Sequence, residues 1–372
     1  MTVTTDSRTE AFVLGVSGWG VLSPFGLGAD EFTAGLRTGR DGTVDATALT
    51  EEPVPDPRAY GLVGFRAREH LGRKGTSFLD RRTAFAVLAC GQALADSDLV
   101  VGDDNRDRVG VVLGTSVGSL QSTSDYSRDT LVQEKPYLVN PILFPNTVLN
   151  CAAGQAAIWH QLRGVNTTLA GGGMATLAAL RYATTVLRRG RAEALLVGAV
   201  DEYTPQLAWT EHATAASPTA VGGEGGAVFL VEDAAAMRAA GREPVAEILV
   251  DLGHTGGRTD LAAALADRVR RVLDQADVHP QDLATVVTSG AAAEEQALDE
   301  VVGPDADRVA ITDLAGNCPT AAGALQVAAV LAHQRGAPEH DGCLSLIVAS
   351  TADGSVGAAV LKGTGRAARD HR

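Results

Sequence analysis

The chain repeats one order of segments in its two halves. In the first half, MATLAALRYATTVLRRG is followed by AEALLVGAVDE and then by GGAVFLVED. In the second half, TAAGALQVAAVLAHQRG is followed by CLSLIVASTADG and then by VGAAVLKG. Each set begins with apolar residues at helical spacing and continues with two apolar runs that are typical of buried strands. The repeat predicts a duplicated β/α unit whose two halves pack around a shared core.

Alternating patterns extend this prediction to most of the chain. Strands are expected at 12–21, 108–116, 194–200, 226–231, 245–250, 283–288, 344–349 and 356–361, and helices at 77–97, 120–133, 145–162, 176–189, 261–273 and 321–332. This order favours an α/β fold in which one helix layer is shared between two sheets, giving five layers, α/β/α/β/α. The pattern leaves open an α/β protein without duplication, because alternating elements also arise by chance.

The charge of the chain limits its partners. The 372 residues have a formal net charge of -14, so nucleic acids and anionic membranes would repel the protein. An acidic carrier protein would need a local basic patch on this chain. The opening MTVTTDSRTE is polar where a signal peptide needs an apolar run, and no stretch is long enough to span a bilayer. We therefore expect a cytoplasmic protein that contacts neither nucleic acid nor membrane.

The cysteines and glycines give no sign of a metal or cofactor. Cys90, Cys151, Cys318 and Cys343 lie far apart without a CxxC pair, so neither a zinc site nor a disulfide framework is indicated. The glycine strings GVSGWG, GGG and GHTGG complete no nucleotide-binding motif, and tight turns account for them better. We expect no cofactor and no metal, and we interpret Cys151 as a buried packing residue.

Seven segments resemble those of the β-ketoacyl synthase family, in the same order. They are FVLGVSGWGVLSPFG, FTAGLRTGRDG, DRRTAFAVLACGQALADSDL, VGVVLGTSVG, NPILFPNTVLNCAAGQAAI, LRGVNTTLAGGG and GGEGGAVFLVED. The resemblance covers roughly Phe12 to Gly363 and implies the thiolase fold, a duplicated βαβαβαββ unit that dimerises. With it we expect an N-terminal thiolase-like half at 11–235, a C-terminal half at 236–364, and flexible termini at 1–10 and 365–372.

The same resemblance indicates that the catalytic positions have been replaced. Active members carry a cysteine at a strand-to-helix turn, where the helix terminus favours a thiolate, and the matching run LAGGGMAT has Gly173. The family's two histidines align with Ser289 in VTSGA and Asn317 in TDLAGNC, and its lysine aligns with Thr312. Glycine cannot form an acyl-enzyme, and serine and asparagine do not titrate near neutral pH. We therefore expect no condensation by the chain alone.

Two further segments, SGAAAEEQALDE and ITDLAGNCPTAAGALQVAAVL, resemble the chain length factors of type II polyketide synthases. This resemblance implies a heterodimer with an active ketosynthase α subunit, served by an acyl carrier protein that carries the growing chain. The sequence departs from the subgroup at two places. Gly173 stands where many chain length factors have glutamine, which puts a role in priming in doubt, and ASTADGSVG lacks the family's GFGG.

The resemblance also implies a tunnel at the subunit interface. Its wall would include Leu120, Thr123 and Ser127, which share one side of the helix after VGVVLGTSVG. These side chains are smaller than the aromatic residues common there, so we expect a wide or long tunnel and a long or rigid product, such as a reduced polyene. The remaining interface residues expected are Phe144, Asn166, Thr168 and Ala170, the last three on a strand that would pair across the dyad.

Two other functions stay open at the level of sequence. The chain would be a thioester enzyme if its nucleophile had moved to Ser289, Cys318 or Cys151. Alternatively, it would be a stand-alone homodimer that holds an acyl carrier or a lipid without catalysis. Covalent labelling by a carrier thioester separates the first alternative from the chain length factor, and the oligomeric state separates the second.

Overall fold

The structure is a computed structural model that describes residues 12–214, 221–256, 260–335 and 342–364. The termini expected at 1–10 and 365–372 lie outside these residues. The described strands are β1 (Leu14–Ser23), β2 (Gly26–Leu27), β3 (Thr43–Asp45), β4 (Arg58–Tyr60), β5 (Val109–Thr115), β6 (Asn166–Ala170), β7 (Ala194–Asp201), β8 (Gly225–Asp233), β9 (Ala246–His254), β10 (Leu283–Thr288), β11 (Arg308–Ala310), β12 (Leu344–Ser350) and β13 (Ser355–Gly363). The described α-helices are α1 (Ala29–Thr38), α2 (Ala67–His70), α3 (Arg81–Asp96), α4 (Leu120–Val132), α5 (Cys151–Trp159), α6 (Ala175–Arg188), α7 (Pro205–Thr214), α8 (Ala234–Ala239), α9 (Leu261–Ala276), α10 (Ala292–Val301), α11 (Thr312–Ala315) and α12 (Ala322–Gln334).

The sheet topology repeats between the two halves. The first half has the strand order β6-β5-β7-β8-β1, and the second has β11-β10-β12-β13-β9. In each half the three outer strands are parallel and the two inner strands are antiparallel to their neighbours. A short antiparallel register, from Leu14 opposite Ile248 to Val16 opposite Ala246, joins the halves through β1 and β9. The predicted duplication is therefore confirmed.

Helices α6 and α12 form a central layer between the two halves. Both contact strands of the first half and strands of the second, and they contact each other. Helices α3 and α5 cover the outer face of the first half, and α9 and α10 cover that of the second. Leu177, Leu180 and Leu325 belong to one shared apolar cluster, and each leucine buried in this way stabilises the fold by roughly 1.5–3 kcal/mol. The five-layer thiolase-like arrangement is confirmed.

Two helices begin later than their sequence patterns predict. Helix α3 starts at Arg81, not at residue 77, because the Asp80 carboxylate accepts the Thr83 N–H at 2.7 Å and caps the helix there. Pro145 lies in a short 3-10 turn, Phe144–Thr147, and does not open α5. The extended backbone of Val148 (ψ 138°) interrupts the helical path, so α5 starts at Cys151.

The boundary at residues 235 and 236 falls within α8, the short helix that connects β8 to the second half. That division of the chain stays a prediction. Among the helices of the described ranges, none has the length and apolar character needed to cross a bilayer.

Candidate functional site

Gly173, the residue aligned with a catalytic cysteine, lies just before α6. It occupies a 3-10 turn, Gly172–Met174, that leads directly into the helix. A Cβ placed on Gly173 would lie 3.2 Å from Cγ2 of Thr351 and 3.8 Å from the carbonyl oxygen of Pro319. Position 173 therefore lies between the turn that joins β12 to β13 and the segment that opens α12.

Ser289 and Thr312, aligned with a histidine and the lysine, are hydrogen-bonded to each other. Thr312 Oγ1 donates to the Ser289 carbonyl oxygen at 3.1 Å. The Ser289 N–H and Oγ donate to the Glu294 carboxylate at 2.8 and 2.9 Å, and Ser350 donates to it through its N–H at 2.8 Å and its Oγ at 3.1 Å. Burial raises the pKa of the fully buried Glu294, while the bonds from Ser289 and Ser350 act to lower it.

Asn317, aligned with the second histidine, pairs with a carboxylate. Its Nδ2 donates to Glu211 Oε1 at 2.9 Å. Burial raises the pKa of Glu211 to about 7, the nearby Asp201 charge raises it as well, and the bond from Asn317 opposes both effects. Asp201 in turn accepts the N–H groups of Thr320 and Ala321 at 2.7 and 2.8 Å, where a negative charge stabilises the start of α12.

We call Gly173, Ser289, Thr312 and Asn317 the substituted site. The structure brings these four residues together around the starts of α6 and α12, since Thr351 follows Ser350 and Pro319 lies two residues after Asn317. The side chains of Ser289, Thr312 and Asn317 offer hydrogen bonds, and the charged groups bonded to Ser289 and Asn317 are carboxyl groups of Glu294 and Glu211. In the described part of the chain, His, Cys, Asp and Glu side chains form no group of three that is able to hold a metal ion.

Helix α4 carries the three residues expected in a tunnel wall. Leu120 and Thr123 are half-buried, whereas Ser127 is exposed. The Ser119 Oγ accepts the Ser122 N–H at 3.2 Å and caps the helix, and Thr123 Oγ1 donates to the Ser119 carbonyl at 2.7 Å. Spacings of three and four residues place Leu120, Thr123 and Ser127 along one side of α4.

An exposed apolar surface covers the region from the end of α4 to α5. Nine of the fourteen exposed large apolar side chains in the described residues belong to this region, an unusual concentration for a monomer. Phe144 is 55% exposed, and its ring centroid lies 5.9 Å from that of Tyr126 on α4. The nine residues of this α4–α5 apolar surface are Leu131, Val132, Tyr137, Leu138, Ile142, Phe144, Val148, Leu149 and Ile158.

Strand β6 forms an open edge of the sheet. It pairs with β5 on one side, and no strand of the described residues pairs with its other side. The Val111 N–H donates to the Val165 carbonyl, and the Gly171 N–H donates to the Thr115 carbonyl. In a parallel ladder the odd-numbered residues of β6 therefore bond to β5. The backbone groups of the even-numbered residues, Asn166, Thr168 and Ala170, point to the open edge.

A basic segment, residues 66–74, stands out on this acidic chain. Arg66, Arg68, Arg73 and Lys74 are all exposed, with Glu69 as the only acidic residue among them. Glu69 pairs with Arg66 at 3.4 Å, and no ion pair to a described residue engages the other three cations. Their charges are thus available to a partner.

A family model described as "Beta-ketoacyl synthase, N-terminal domain" matches residues 13–236, more than half of the chain. The chain belongs to the β-ketoacyl synthase family. Like this chain, the family's solved members have the thiolase-like fold: a β-ketoacyl synthase from Burkholderia phymatum STM815 superposes with a TM-score of 0.79 at 20% identity, over 95% of this chain and 100% of that one.

Two further relatives are similar to this chain in sequence. The ishigamide ketosynthase/chain length factor superposes with a TM-score of 0.85 at 35% identity, over 95% of this chain and 99% of that chain. The 3-oxoacyl-[acyl-carrier-protein] synthase 2 of Staphylococcus aureus (strain N315) is 24% identical over 310 residues, which span 77% of this chain and 74% of that protein.

In this β-ketoacyl synthase family member, neither of the two cysteines considered as a moved nucleophile has a low pKa. Cys318 is 1% exposed, and burial, together with the Asp201 and Glu211 charges, raises its pKa well above the ordinary value. Cys151 was expected to be a buried packing residue, but it is only half-buried. Its Sγ donates to Asn146 Oδ1 at 3.3 Å, and burial raises the pKa of its thiol.

A buried polar cluster lies behind α4 and was not predicted from the sequence. Arg82 is 4% exposed and donates through Nη2 to Thr115 Oγ1 at 2.9 Å, and the Ser119 Oγ donates to Glu202 at 2.7 Å. Burial raises the pKa of Glu202 to about 7, and the Asp80 charge raises it too. The charged DRR before an apolar helix is the signal that would have pointed to this cluster.

Proposed function

We propose that the chain is the non-catalytic chain length factor of a type II polyketide synthase. It pairs with a ketosynthase α subunit that holds the growing acyl chain, and it shapes the tunnel that receives this chain. One observation carries the proposal: the start of α6 has glycine at position 173, so no side-chain atom there can bond to an acyl group. The 35% identity to the ishigamide ketosynthase/chain length factor, over nearly the full length of both chains, supports it.

The rest of the substituted site also favours a non-catalytic role. Both hydrogen-bonding partners of the Ser289 hydroxyl are oxygens of a carboxylate that already accepts three other bonds. Asn317 is paired with Glu211, and an amide neither donates nor accepts a proton near neutral pH. Decarboxylation of an extender unit leaves a developing negative charge, which neighbouring carboxylates would destabilise.

The α4–α5 apolar surface and the open edge of β6 support the heterodimer. An uncharged edge strand of five residues, longer than the three-residue β11 at the other edge and beside exposed apolar side chains, is a template for pairing with another chain. We propose the ketosynthase α subunit as the occupant, with Phe144 in the apolar contact and Asn166, Thr168 and Ala170 offering backbone hydrogen bonds. Such an interface combines apolar burial with backbone pairing, and it would be large and stable.

The side of α4 that carries Leu120, Thr123 and Ser127 supports the tunnel. Two of these side chains are half-buried and one is exposed, and none is aromatic. We propose that they leave room for a long or rigid acyl chain, such as a reduced polyene.

The acyl carrier protein that delivers the chain is the proposed partner of the basic segment. The rest of the ketosynthase-like chain is negatively charged and would repel an acidic carrier. None of the four cysteines, all within the described residues, forms a disulfide, which suits the reducing cytoplasm where we propose that the complex works.

Copurification tests the proposal. A tagged form of the chain is expressed alone and together with a ketosynthase α subunit from the same organism, and condensation is assayed with carrier-bound substrates. We expect an equimolar complex and condensation only when both subunits are present. Elongation by this chain alone would contradict the proposal.

Two readouts separate the alternatives in the same preparations. Mass spectrometry after incubation with an acyl carrier thioester would detect an adduct on Ser289, Cys318 or Cys151 if the nucleophile had moved. Recovery as a homodimer that ignores the ketosynthase and retains a carrier or lipid would support the binding protein instead.

A further inference from the structure

The turn between β12 and β13 lies against the place of the missing nucleophile. The ideal Cβ position of residue 173 is 3.2 Å from Cγ2 of Thr351, closer than an ordinary van der Waals contact. Glycine fits this contact without strain, whereas any side chain at 173 would require Thr351 to move. The next nearest atom, the Pro319 carbonyl oxygen, is 3.8 Å away, so Thr351 is the decisive neighbour.

Thr351 is held in its rotamer by its own turn. Its N–H donates to the Ser355 carbonyl at 2.9 Å, and its Oγ1 donates to Asp353 Oδ1 at 2.5 Å. The same carboxylate accepts the Ser355 N–H at 3.0 Å, which closes the turn. Because threonine is branched at Cβ, a fixed Oγ1 also fixes Cγ2. The methyl group that meets position 173 therefore cannot rotate away while these bonds persist.

The residue before Thr351 is anchored to the buried Glu294. The Ser350 N–H and Oγ donate to its carboxylate, which also accepts the N–H and Oγ of Ser289 at the end of β10. Donors from the ends of two strands therefore converge on one buried carboxyl group. Glu294 thus joins the ends of two neighbouring strands and fixes the start of the turn, which acts on position 173 through Thr351.

We propose that this turn is a plug: Thr351 occupies the space in which an acyl group attached at position 173 would begin, and glycine at 173 is a packing requirement of the closed turn. The inference rests on the proposed function for its purpose, since a plugged site keeps carrier-bound chains for the partner subunit. The glutamine that many chain length factors carry at this position would also have a Cβ against Thr351 Cγ2, so in this chain it would require the turn to shift.

Thermal unfolding tests the packing. Glycine-to-alanine changes at unstrained positions usually stabilise a protein, because they restrict the unfolded chain. We expect the opposite for Gly173→Ala, a lower Tm, because its Cβ meets Thr351. The matched change Thr351→Ser removes only Cγ2 and keeps the Oγ bonds, so Gly173→Ala combined with Thr351→Ser should recover the lost Tm. A higher Tm for Gly173→Ala alone would overturn the plug.

Thiol reactivity gives a second readout that a fold defect does not mimic. In Gly173→Cys the new thiol should react with iodoacetamide slowly, and adding Thr351→Ser should raise the rate about tenfold, the scale of relieved overpacking. Peptide mapping reports each thiol separately, and the half-buried Cys151 serves as the internal reference. Equal rates with and without Thr351→Ser would contradict the inference. Both tests use the chain as purified, alone or in complex, so they succeed or fail independently of copurification with a ketosynthase.

Discussion

Glu211 is a carboxyl group whose protonation responds to pH near neutrality. Its folded-state pKa is about 7 because it is buried near Asp201, against an ordinary value of 4.5. The folded protein therefore keeps a proton that the unfolded chain releases between these two values. Below about pH 4.5, Glu211 has no effect on the free energy of unfolding. As the pH rises from there to about 7, the free energy of unfolding falls, and it stays lower at higher pH.

The isosteric change Glu211→Gln should remove this loss. The new amide is not ionisable, and its carbonyl oxygen keeps an acceptor for Asn317. At about 1.4 kcal/mol per pKa unit, we expect a gain in the free energy of unfolding at pH 8 on the order of 3 kcal/mol. Urea unfolding at pH 5 and pH 8 measures it. Glu202 titrates in the same direction, so the pH dependence should flatten but not vanish. The exposed Glu52→Gln is the control, and an equal gain there would contradict the assignment.

Only part of the substituted site was predictable residue by residue. Gly173, Ser289, Asn317 and Thr312 were picked out from the order of the motifs along the chain, a local signal. Their partners were not, because contacts with Thr351 and Glu294 depend on how β10 and β12 end side by side in the folded sheet. Periodicity carries no information about such non-local pairs.

Among the elements, strand β6 should control assembly through its open edge. Thr168→Pro removes a backbone N–H that points away from β5, so the pairing of β6 with β5 keeps its hydrogen bonds. We expect loss of the complex with the ketosynthase in size-exclusion chromatography while the chain stays folded by circular dichroism. Thr168→Val keeps the N–H and should copurify normally. A stable complex with Thr168→Pro would remove β6 from the interface.

Helix α4 should set product length if its Leu120–Ser127 side lines the tunnel. Placing tryptophan at Ser127 fills space on that side, and shorter products are expected from the reconstituted heterodimer by mass spectrometry of the released chains. Arg128→Trp adds the same bulk about 100° around the helix, because each residue advances by that angle. Unchanged product length with Ser127→Trp, or equal shortening with Arg128→Trp, would refute the assignment of this side to the tunnel.

Elements with strong apolar patterns were predicted well, and those decided by local backbone geometry were not. The run at 194–200 became β7 with one extra residue, because a strand covered on both faces is apolar throughout. The prediction of a helix beginning at Pro145 was wrong. A proline suits a first helical turn, but it does not decide whether Val148 continues the helix. The small β3–β4 pair carried no distinctive pattern and was missed.

On the scale of the whole molecule, the two halves have diverged in what they expose. The first half contributes the open edge of β6, the α4–α5 apolar surface and the basic segment, whereas the same strand position in the second half is the three-residue β11. A short edge strand protects a sheet from pairing. The duplicated fold therefore exposes these three surfaces in its first half, and Gly173, at the start of α6 in the central layer, has no side-chain nucleophile.

The basic segment should supply most of the attraction for an acidic carrier, because the chain as a whole carries a net charge of -14. Arg68→Glu combined with Arg73→Glu should weaken carrier binding roughly tenfold at low salt and much less at high salt, as expected for exposed charges. Surface plasmon resonance against salt concentration measures this. The control is Arg188→Glu combined with Arg189→Glu, which changes the net charge by the same amount at the exposed end of α6. Equal weakening of carrier binding by the control would indicate that the overall charge attracts the carrier and that the basic segment does not.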